Sequence, residues 1–307
     1  MLDPQARALI DLMVQRGVPP THTMTPLQAR KFYRDRRAFT QPDPPPMAQV
    51  CDLSAAGVPL RLFRPHAADQ ALPVLVYLHG GGWTIGDLDT HDVLCRQLAL
   101  EAACAVVSVD YRMGPEHRFP AAVDDCVQAF RWVLAHAAEL QLDARRTAVG
   151  GDSAGGNLAA ALCLVERDAG RPLPGFQLLI YPATDMRAVA PSHTTNGQGY
   201  MLTSDSIAWY RGNYLATPVE WEDWRASPLL AASHAGLPAA LVLTAGFDPL
   251  RDEGLQYANA LSAAGVPAQY VCFERQIHGF ITMSRVIDEA LTAVGLCGVA
   301  LRRAWGA

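Results

Sequence analysis

The sequence predicts an α/β fold in which a parallel sheet is covered by helices on both faces. Three observations lead to this prediction. Short apolar runs alternate with helical patterns along much of the chain, which is the arrangement of parallel strands and crossover helices. Several runs, such as residues 74–78 and 105–109, are apolar at every position or at all but one, as expected for strands buried on both faces. A Gly-x-Ser-x-Gly motif at residues 151–155 stands between an apolar run and a helical pattern, so it marks a strand-to-helix turn.

Composition favours a globular protein without nucleic-acid partners. The chain has 307 residues, of which 50% are hydrophobic and 18% charged, enough for one large domain or a domain with a small appendage. Its formal net charge is −5, and Lys and Arg are scattered rather than gathered in a basic stripe, which argues against nucleic-acid binding. The seven cysteines show no paired spacing, so we expect reduced, mostly buried thiols and no metal site.

The chain carries no targeting or membrane signal that we can identify. Residues 1–7 lack the basic start, the long apolar centre and the cleavage site of a secretory signal. No stretch approaches the roughly 18 consecutive apolar residues that span a bilayer. We therefore expect a cytoplasmic protein without stable membrane insertion.

The first 45 residues are predicted to be helical and to form part of a cap. An apolar face repeats over residues 9–14 with helical spacing, and Pro19-Pro20 ends this helix. A second, arginine-rich helix is predicted over residues 26–39. Residues 42–46 contain four prolines and are predicted to form an extended connector.

Alternating strands and helices follow this connector. The predicted strands cover residues 59–63, 74–78, 105–109, 147–150, 176–181, 240–245 and 269–273. The predicted helices cover residues 119–140, 158–164, 252–264 and 281–303.

One segment, residues 185–230, interrupts the alternation. It is rich in Trp and Tyr but has no apolar run of strand length, so we interpret it as a helical insertion. Together with residues 1–45 it is predicted to form a cap over one edge of the sheet. The core then consists of residues 46–184 and 231–307.

Ser153 is the candidate nucleophile. The turn at residues 151–155 is so tight that its flanking positions can carry almost no side chain, and the serine hydroxyl is pushed out above the sheet. It then lies beside the N-terminus of the following helix, whose free N–H groups favour negative charge. A glycine-rich turn without a catalytic function remains the alternative until catalytic partners are found.

Candidate catalytic partners follow Ser153 along the chain, first an acidic residue and then a histidine. This is the order found after a nucleophile elbow, the tight strand-to-helix turn that carries a catalytic serine. Asp248 lies in the loop after the predicted strand 240–245, and His278 lies in the loop after the strand 269–273. Loops at the carboxyl ends of parallel strands build the sites of open α/β sheets. A serine hydroxyl needs a base to remove its proton, so we predict Ser153 as nucleophile, His278 as base and Asp248 as orienting acid.

Other residues could fill these roles. Asp248 could simply be a turn residue before a proline. Asp252 and Glu253 are rival carboxylates, but we expect them within the next helix with side chains pointing away from the strand end. His193 and His234 are rival bases, but neither follows a predicted strand.

A glycine-rich loop, His-Gly-Gly-Gly-Trp at residues 79–83, follows the buried strand 74–78. Acyl transfer develops an oxyanion that needs preorganised N–H donors, and consecutive glycines let backbone amides approach the substrate. We predict the oxyanion donors to be the amides of Gly81, Gly82 and Ala154. His79 is expected to brace the loop rather than to serve as a second base.

The chain resembles the hormone-sensitive-lipase-like esterases, bacterial family IV of the α/β-hydrolase superfamily. The matching blocks are residues 79–83, 110–117, 151–157, 248–253 and 278–280. The resemblance implies an α/β-hydrolase fold with an eight-stranded, mostly parallel sheet, a helical cap and no cofactor. It assigns the same triad and the same oxyanion donors. In the block at residues 110–117, this chain has Met113-Gly114 where Leu-Ala is commoner, and neither residue is assigned a catalytic role.

The resemblance also implies the activity, which is hydrolysis of short- to medium-chain acyl esters, with an expected acyl length of about two to eight carbons. Two alternatives stay open at this point. An amidase or formamidase could use the same triad, and a receptor-like member of the fold could bind a ligand without turnover, although such receptors lack the base and His278 is present. The last strand could lie at a sheet edge and pair with a second copy, giving a homodimer.

Overall fold

A single eight-stranded sheet forms the centre of the computed structural model, which describes residues 1–67 and 70–306. In chain order the strands are β1 (Gln49–Ala55), β2 (Val58–Arg64), β3 (Leu72–Leu78), β4 (Ala105–Val109), β5 (Leu142–Asp152), β6 (Phe176–Ile180), β7 (Ala239–Phe247) and β8 (Ala268–Ile277). Their spatial order is β1-β2-β4-β3-β5-β6-β7-β8. β1 and β2 pair antiparallel, β2 pairs antiparallel with β4, and all later pairs are parallel. The predicted α/β fold is confirmed.

Ten helices connect or flank the strands in the described part of the chain. They are α1 (Pro4–Gln15), α2 (Pro26–Asp35), α3 (Arg37–Thr40), α4 (Asp92–Ala102), α5 (Ala121–Ala135), α6 (Ala154–Asp168), α7 (Ser192–Thr195), α8 (Ser204–Tyr214), α9 (Arg251–Ala263) and α10 (Glu289–Ala304).

The two faces of the sheet carry separate hydrophobic clusters because neighbouring residues of a strand point to opposite faces. In β3, Val76 packs with the cluster that includes α5, α6 and α9, whereas Leu75 packs with the cluster that includes α4 and α10. Both side chains are fully buried. This two-sided burial explains why β3 is a continuous apolar run in the sequence.

The structure differs from the predictions in several places. β1 and α4 are not among the predicted elements; β1 is an edge strand whose residues are mostly exposed or half-buried, so it carries no apolar run. The predicted helix over 281–303 is wrong at its start, because α10 begins only at Glu289. The N–H of Arg285 bonds to the carbonyl of Thr40, and this long-range bond holds the backbone outside a helix. The second predicted helix is divided in two at Arg36.

Residues 1–45 and 185–230 meet at one cavity beside Ser153, and α1 and α8 also bury side chains in the two hydrophobic clusters of the core. They contribute α1 to α3 and α7 to α8, and both segments line the same cavity. The cap that we predicted from the sequence remains our proposal for their role. Among the helices of the described residues, none combines the length and the apolar character needed to cross a bilayer.

Candidate active site

Ser153 lies at the turn between β5 and α6 in a strained conformation, with φ 57° and ψ −117°. Positive φ is costly for a residue with a side chain, so the surrounding contacts must hold it. Its N–H donates to the carbonyl of Ile180, at 2.8 Å. A methyl group at Gly155 would collide with the carbonyl of Leu78, which explains why the turn needs glycine at this position.

His278 connects Ser153 to Asp248. Its Nε2 lies 2.9 Å from Ser153 Oγ, and its Nδ1 lies 2.7 Å from Asp248 Oδ2. Asp248 is fully buried, and its other oxygen accepts the N–H of Leu250 at 2.9 Å. The structure therefore brings together the three residues predicted from the sequence, in the order serine, histidine, acid.

Asn196, a residue that the sequence analysis did not identify, supports the loop that carries Asp248. It is buried, and its side-chain amide donates to the carbonyls of Gly246 and Asp248, at 3.1 and 3.2 Å. It follows α7, about fifty residues before the loop that it holds, so no local pattern could have pointed to this contact.

The glycine-rich loop after β3 turns back on itself beside the elbow. Gly81 adopts φ +126°, a conformation that favours glycine, and its carbonyl accepts the N–H of Ile85 at 2.9 Å. Within residues 1–67 and 70–306, the amides of Gly81, Gly82 and Ala154 have no hydrogen-bond acceptor. Free backbone donors of this kind beside a nucleophile can bind an oxyanion.

Asp152, the residue before the nucleophile, holds this loop and was also missed by sequence reasoning. One of its oxygens accepts the hydroxyl of Tyr77 at 2.7 Å and the N–H of Gly80 at 2.9 Å. Burial acts to raise the pKa of Asp152, but neighbouring His91 and the bond from Tyr77 outweigh it, and the pKa lies below its ordinary value. The ionised carboxylate thus ties the donor loop to the elbow.

His79 supports the loop rather than the proton transfer. Its ring is fully buried and stacks on Tyr111, with centroids 4.3 Å apart. Its Nδ1 lies 2.9 Å from the carbonyl of Gly80. Burial lowers the pKa of His79 to about 4, so the ring is neutral at physiological pH.

The rival residues do not contact Ser153. His234 Nε2 bonds to the carbonyl of Pro228, at 3.0 Å, and Asp252 accepts the N–H of Ser192 at 2.9 Å. The expectation that Glu253 points away from the site is wrong. Its side chain is buried at the cavity wall, 2.6 Å from His193 Nε2, because the backbone amides after β6 draw it inward.

Arg30 of α2 links the N-terminal segment to the donor loop. Its guanidinium donates to the carbonyls of Thr84 and Gly114, both at 2.8 Å, and pairs with both oxygens of Glu116. Thr84 lies two residues after Gly82, so the contact braces the end of the glycine-rich loop. Arginine suits this position because its planar fork can bond several acceptors at once.

A largely apolar cavity of about 310 Å³ opens above Ser153 and His278. Its wall includes Met13 and Phe32 from the N-terminal segment and Ile207 and Tyr210 from the insertion. Within the described residues, no group of three His, Cys, Asp or Glu side chains is placed to hold a metal ion. The arrangement of nucleophile, base and free amides around an apolar cavity is suited to acyl transfer.

Known proteins are similar to this chain over most of its length. A family model described as alpha/beta hydrolase fold matches residues 75–282. The chain is 43% identical over 292 residues to the carboxylic ester hydrolase LipN of Mycobacterium tuberculosis, covering 92% of this chain and 77% of that protein. It is 38% identical over 303 residues to an ethyl acetate hydrolase of Pseudomonas putida, covering 94% of this chain and 95% of that protein.

Solved structures show the same relationship. The chain is similar to the ester-hydrolase EH1AB1 from the metagenome of Lake Arreo, with a TM-score of 0.96 and 41% identity, covering 100% of both chains. Sequence identity at this level over whole chains indicates a shared family and not only a shared fold. The chain belongs to the hormone-sensitive-lipase-like esterases of the α/β-hydrolase superfamily, and it is a carboxylic ester hydrolase.

Proposed function

We propose that this carboxylesterase works through a triad of Ser153, His278 and Asp248 and an acyl-enzyme intermediate. The observation that carries the proposal is the pair of bonds to His278, 2.9 Å from Nε2 to Ser153 Oγ and 2.7 Å from Nδ1 to Asp248. A base within hydrogen-bond reach of a hydroxyl, itself oriented by a buried acid, is the geometry of an activated nucleophile.

The reaction follows from this geometry in two steps. His278 takes the proton of Ser153 as Oγ attacks the ester carbonyl carbon, and the carbonyl oxygen becomes an oxyanion. His278 then gives its proton to the departing alcohol oxygen as the C–O bond breaks, which leaves the acyl group on Ser153. Water, deprotonated by His278, attacks the acyl-enzyme, the bond between the acyl carbon and Oγ breaks to release the carboxylic acid, and His278 returns the proton to Ser153 Oγ. Asp248 keeps the ring oriented and stabilises the imidazolium.

The oxyanion would be stabilised by the amides of Gly81, Gly82 and Ala154. Their lack of any acceptor in the described part of the chain supports this role, since a donor that is already paired would have to break a bond first. Loss of one such donor typically costs about 3 kcal/mol of transition-state stabilisation.

We propose esters with acyl groups of about two to eight carbons as substrates. The cavity of about 310 Å³ is at the small end of ligand pockets, and its apolar wall favours alkyl groups. One relative is an ethyl acetate hydrolase, which supports a preference for short chains. Rates on aryl esters of increasing chain length test this, and a preference for long-chain emulsified triglycerides would contradict it. A parallel amide series tests the amidase alternative.

The triad is tested by replacing the nucleophile. Ser153→Ala should lower kcat by about a million-fold if the triad acts as a unit and should abolish labelling by a fluorophosphonate serine probe. Ser262→Ala, at an exposed position of α9, is the matched control and should retain both properties. Substantial esterase activity in a correctly folded Ser153→Ala protein would rule out the assignment.

We further propose that the protein forms a homodimer through β8 and works in the cytoplasm. β8 is an edge strand of the sheet, and edge strands offer unpaired backbone groups to a second copy. All seven cysteines are unpaired, which supports a reducing compartment. Light scattering tests the dimer, which should have twice the mass of one chain.

A further inference from the structure

A second histidine–carboxylate pair lies in the wall of the cavity and plays no part in the proposed triad. His193 Nε2 is 2.6 Å from Glu253 Oε2, and their side chains are 8% and 1% exposed. Both residues line the cavity that contains Ser153. A buried polar pair in an otherwise apolar wall is costly in desolvation, and an apolar pair of similar size would often be as stable.

Three hydrogen-bond donors face the side chain of Glu253. Its Oε1 accepts the backbone N–H groups of Thr184 and Asp185, at 2.6 and 3.2 Å, and its Oε2 faces His193. Glu253 also lies in the first turn of α9, where the helix dipole favours a negative charge. Burial raises the pKa of Glu253, whereas the bonds from His193 and from the two backbone N–H groups act to lower it. Because backbone N–H groups cannot act as acceptors, these bonds favour the ionised form.

The state of Glu253 determines which ring nitrogen of His193 carries the hydrogen. An ionised carboxylate can only accept, so His193 Nε2 must donate to it. In the neutral ring, Nδ1 is then left as a hydrogen-bond acceptor. In the described residues, the hydrogen bond of the His193 ring is made by Nε2, and Nδ1 is not among the fully buried side-chain atoms that lack a partner, so Nδ1 remains accessible. A partly satisfied histidine in a substrate cavity is equipped to bind a donor on the substrate.

The pair lies on a defined side of the nucleophile. Thr184 and Asp185 follow β6 closely, and the N–H of Ala183 lies 3.4 Å from the carbonyl of Ser153. The glycine-rich donor loop instead follows β3, and β5, which carries Ser153, lies between β3 and β6 in the sheet. His193 and the donor loop therefore flank Ser153 from opposite sides.

We propose that His193 Nδ1 accepts a hydrogen bond from a hydroxyl group of the substrate, so that the enzyme prefers hydroxyl-bearing esters over their alkyl or alkoxy analogues. The hydroxyl would lie on the part of the ester that occupies the β6–β7 side of the cavity. Glu253 acts as a positioning residue that sets the direction of this bond. The inference rests on the proposed ester hydrolysis at Ser153 and adds its substrate class.

The test compares three matched short-chain esters that differ at one carbon, which bears a methyl, a hydroxyl or a methoxy group. One series places this group in the acyl part and a second series places it in the alcohol part. In one of the two series, the wild-type enzyme should show kcat/KM about fivefold higher for the hydroxyl ester than for the methoxy ester, the effect of one neutral hydrogen bond. The methyl ester serves as the internal reference for each enzyme.

Two variants separate recognition from folding. His193→Phe removes Nδ1 and should make the hydroxyl and methyl esters equivalent. Glu253→Gln preserves shape: the backbone amides require its oxygen, so its NH2 group must donate to His193 Nε2. This moves the ring hydrogen to Nδ1, which becomes a donor, and the methoxy ester should then be hydrolysed about as well as the hydroxyl ester. His136→Phe, at the end of α5, is the control and should keep the wild-type ratio.

The outcomes distinguish this inference from the proposed function. Equal kcat/KM for the hydroxyl and methoxy esters in both series, with normal hydrolysis of the methyl ester, would overturn the inference alone. An unchanged hydroxyl preference in Glu253→Gln would also overturn it, whether or not His193→Phe folds. Failure of the wild-type enzyme to hydrolyse any of the esters would instead contradict the proposed function.

Discussion

Replacing Asp152 tests whether the elbow and the donor loop act as one unit. The carboxylate is 3% exposed and accepts Tyr77 Oη and Gly80 N at 2.7 and 2.9 Å. Asp152→Ala leaves Tyr77 Oη buried without an acceptor and leaves Gly80 N–H with only its longer contact to His91 Nε2, at 3.3 Å. Each unsatisfied donor costs about 1–3 kcal/mol, so we expect the free energy of unfolding to fall by about 1–6 kcal/mol in total.

The same substitution should slow the reaction. Gly80 immediately precedes Gly81, so releasing its N–H lets the oxyanion donors move away from the reacting carbonyl. If one donor is lost, about 3 kcal/mol of transition-state stabilisation disappears, which corresponds to a decrease in kcat of roughly 100-fold. KM should change little, because the oxyanion forms only on the way to the transition state.

The assay measures kcat and KM on a short-chain aryl ester together with urea unfolding. Asp152→Asn keeps an oxygen for Tyr77 and Gly80 and should retain more activity than Asp152→Ala. Asp124→Ala, at an exposed position in the first turn of α5, is the control and should keep wild-type kcat. A folded Asp152→Ala enzyme with kcat within about threefold of wild type would refute the role of Asp152 in holding the loop, since an intact donor set would then not need the carboxylate.

Three further predictions concern the residues around this loop. Burial lowers the pKa of His79 to about 4, whereas an unfolded histidine titrates near 6.5, so the unfolded chain binds more protons and the protein loses stability as pH falls from about 6.5 to 4. His79→Phe should remove up to about 3 kcal/mol of this loss. Urea unfolding at a series of pH values measures it, and an unchanged pH dependence would contradict the prediction. Gly155→Ala should abolish folding or activity because its methyl group would collide with the carbonyl of Leu78. Gly295→Ala in α10, where the added methyl group meets open space, should instead raise the free energy of unfolding by about 0.5–1 kcal/mol. Similar melting temperatures for the two variants would refute the steric argument. Arg30→Ala should lower kcat/KM by about tenfold, the effect of losing charge-assisted bonds worth about 1.5 kcal/mol, and an enzyme with wild-type kcat/KM would show that α2 does not brace the loop.

Residues that act through their immediate neighbours were predictable from the sequence. The tight turn around Ser153 needs glycine for steric reasons that a seven-residue motif contains in full. Asp248 and His278 were predictable because each directly follows an apolar strand, and parallel strands bring their carboxyl ends to one edge of the sheet. The central strands were predictable because burial on both faces leaves a continuous apolar run.

Residues whose partners are distant in the chain were decided only by the tertiary structure. Glu253 was expected to point away from the site, but the amides of Thr184 and Asp185, about seventy residues earlier, draw it into the cavity wall. Likewise, the start of α10 is delayed by a bond from Arg285 to Thr40. Local periodicity and spacing contain no information about such contacts, because hydrogen-bond partners are chosen by three-dimensional proximity. The sequence by itself therefore determined the fold class and the candidate triad, whereas the tertiary structure determined the shape and polarity of the cavity in which they lie.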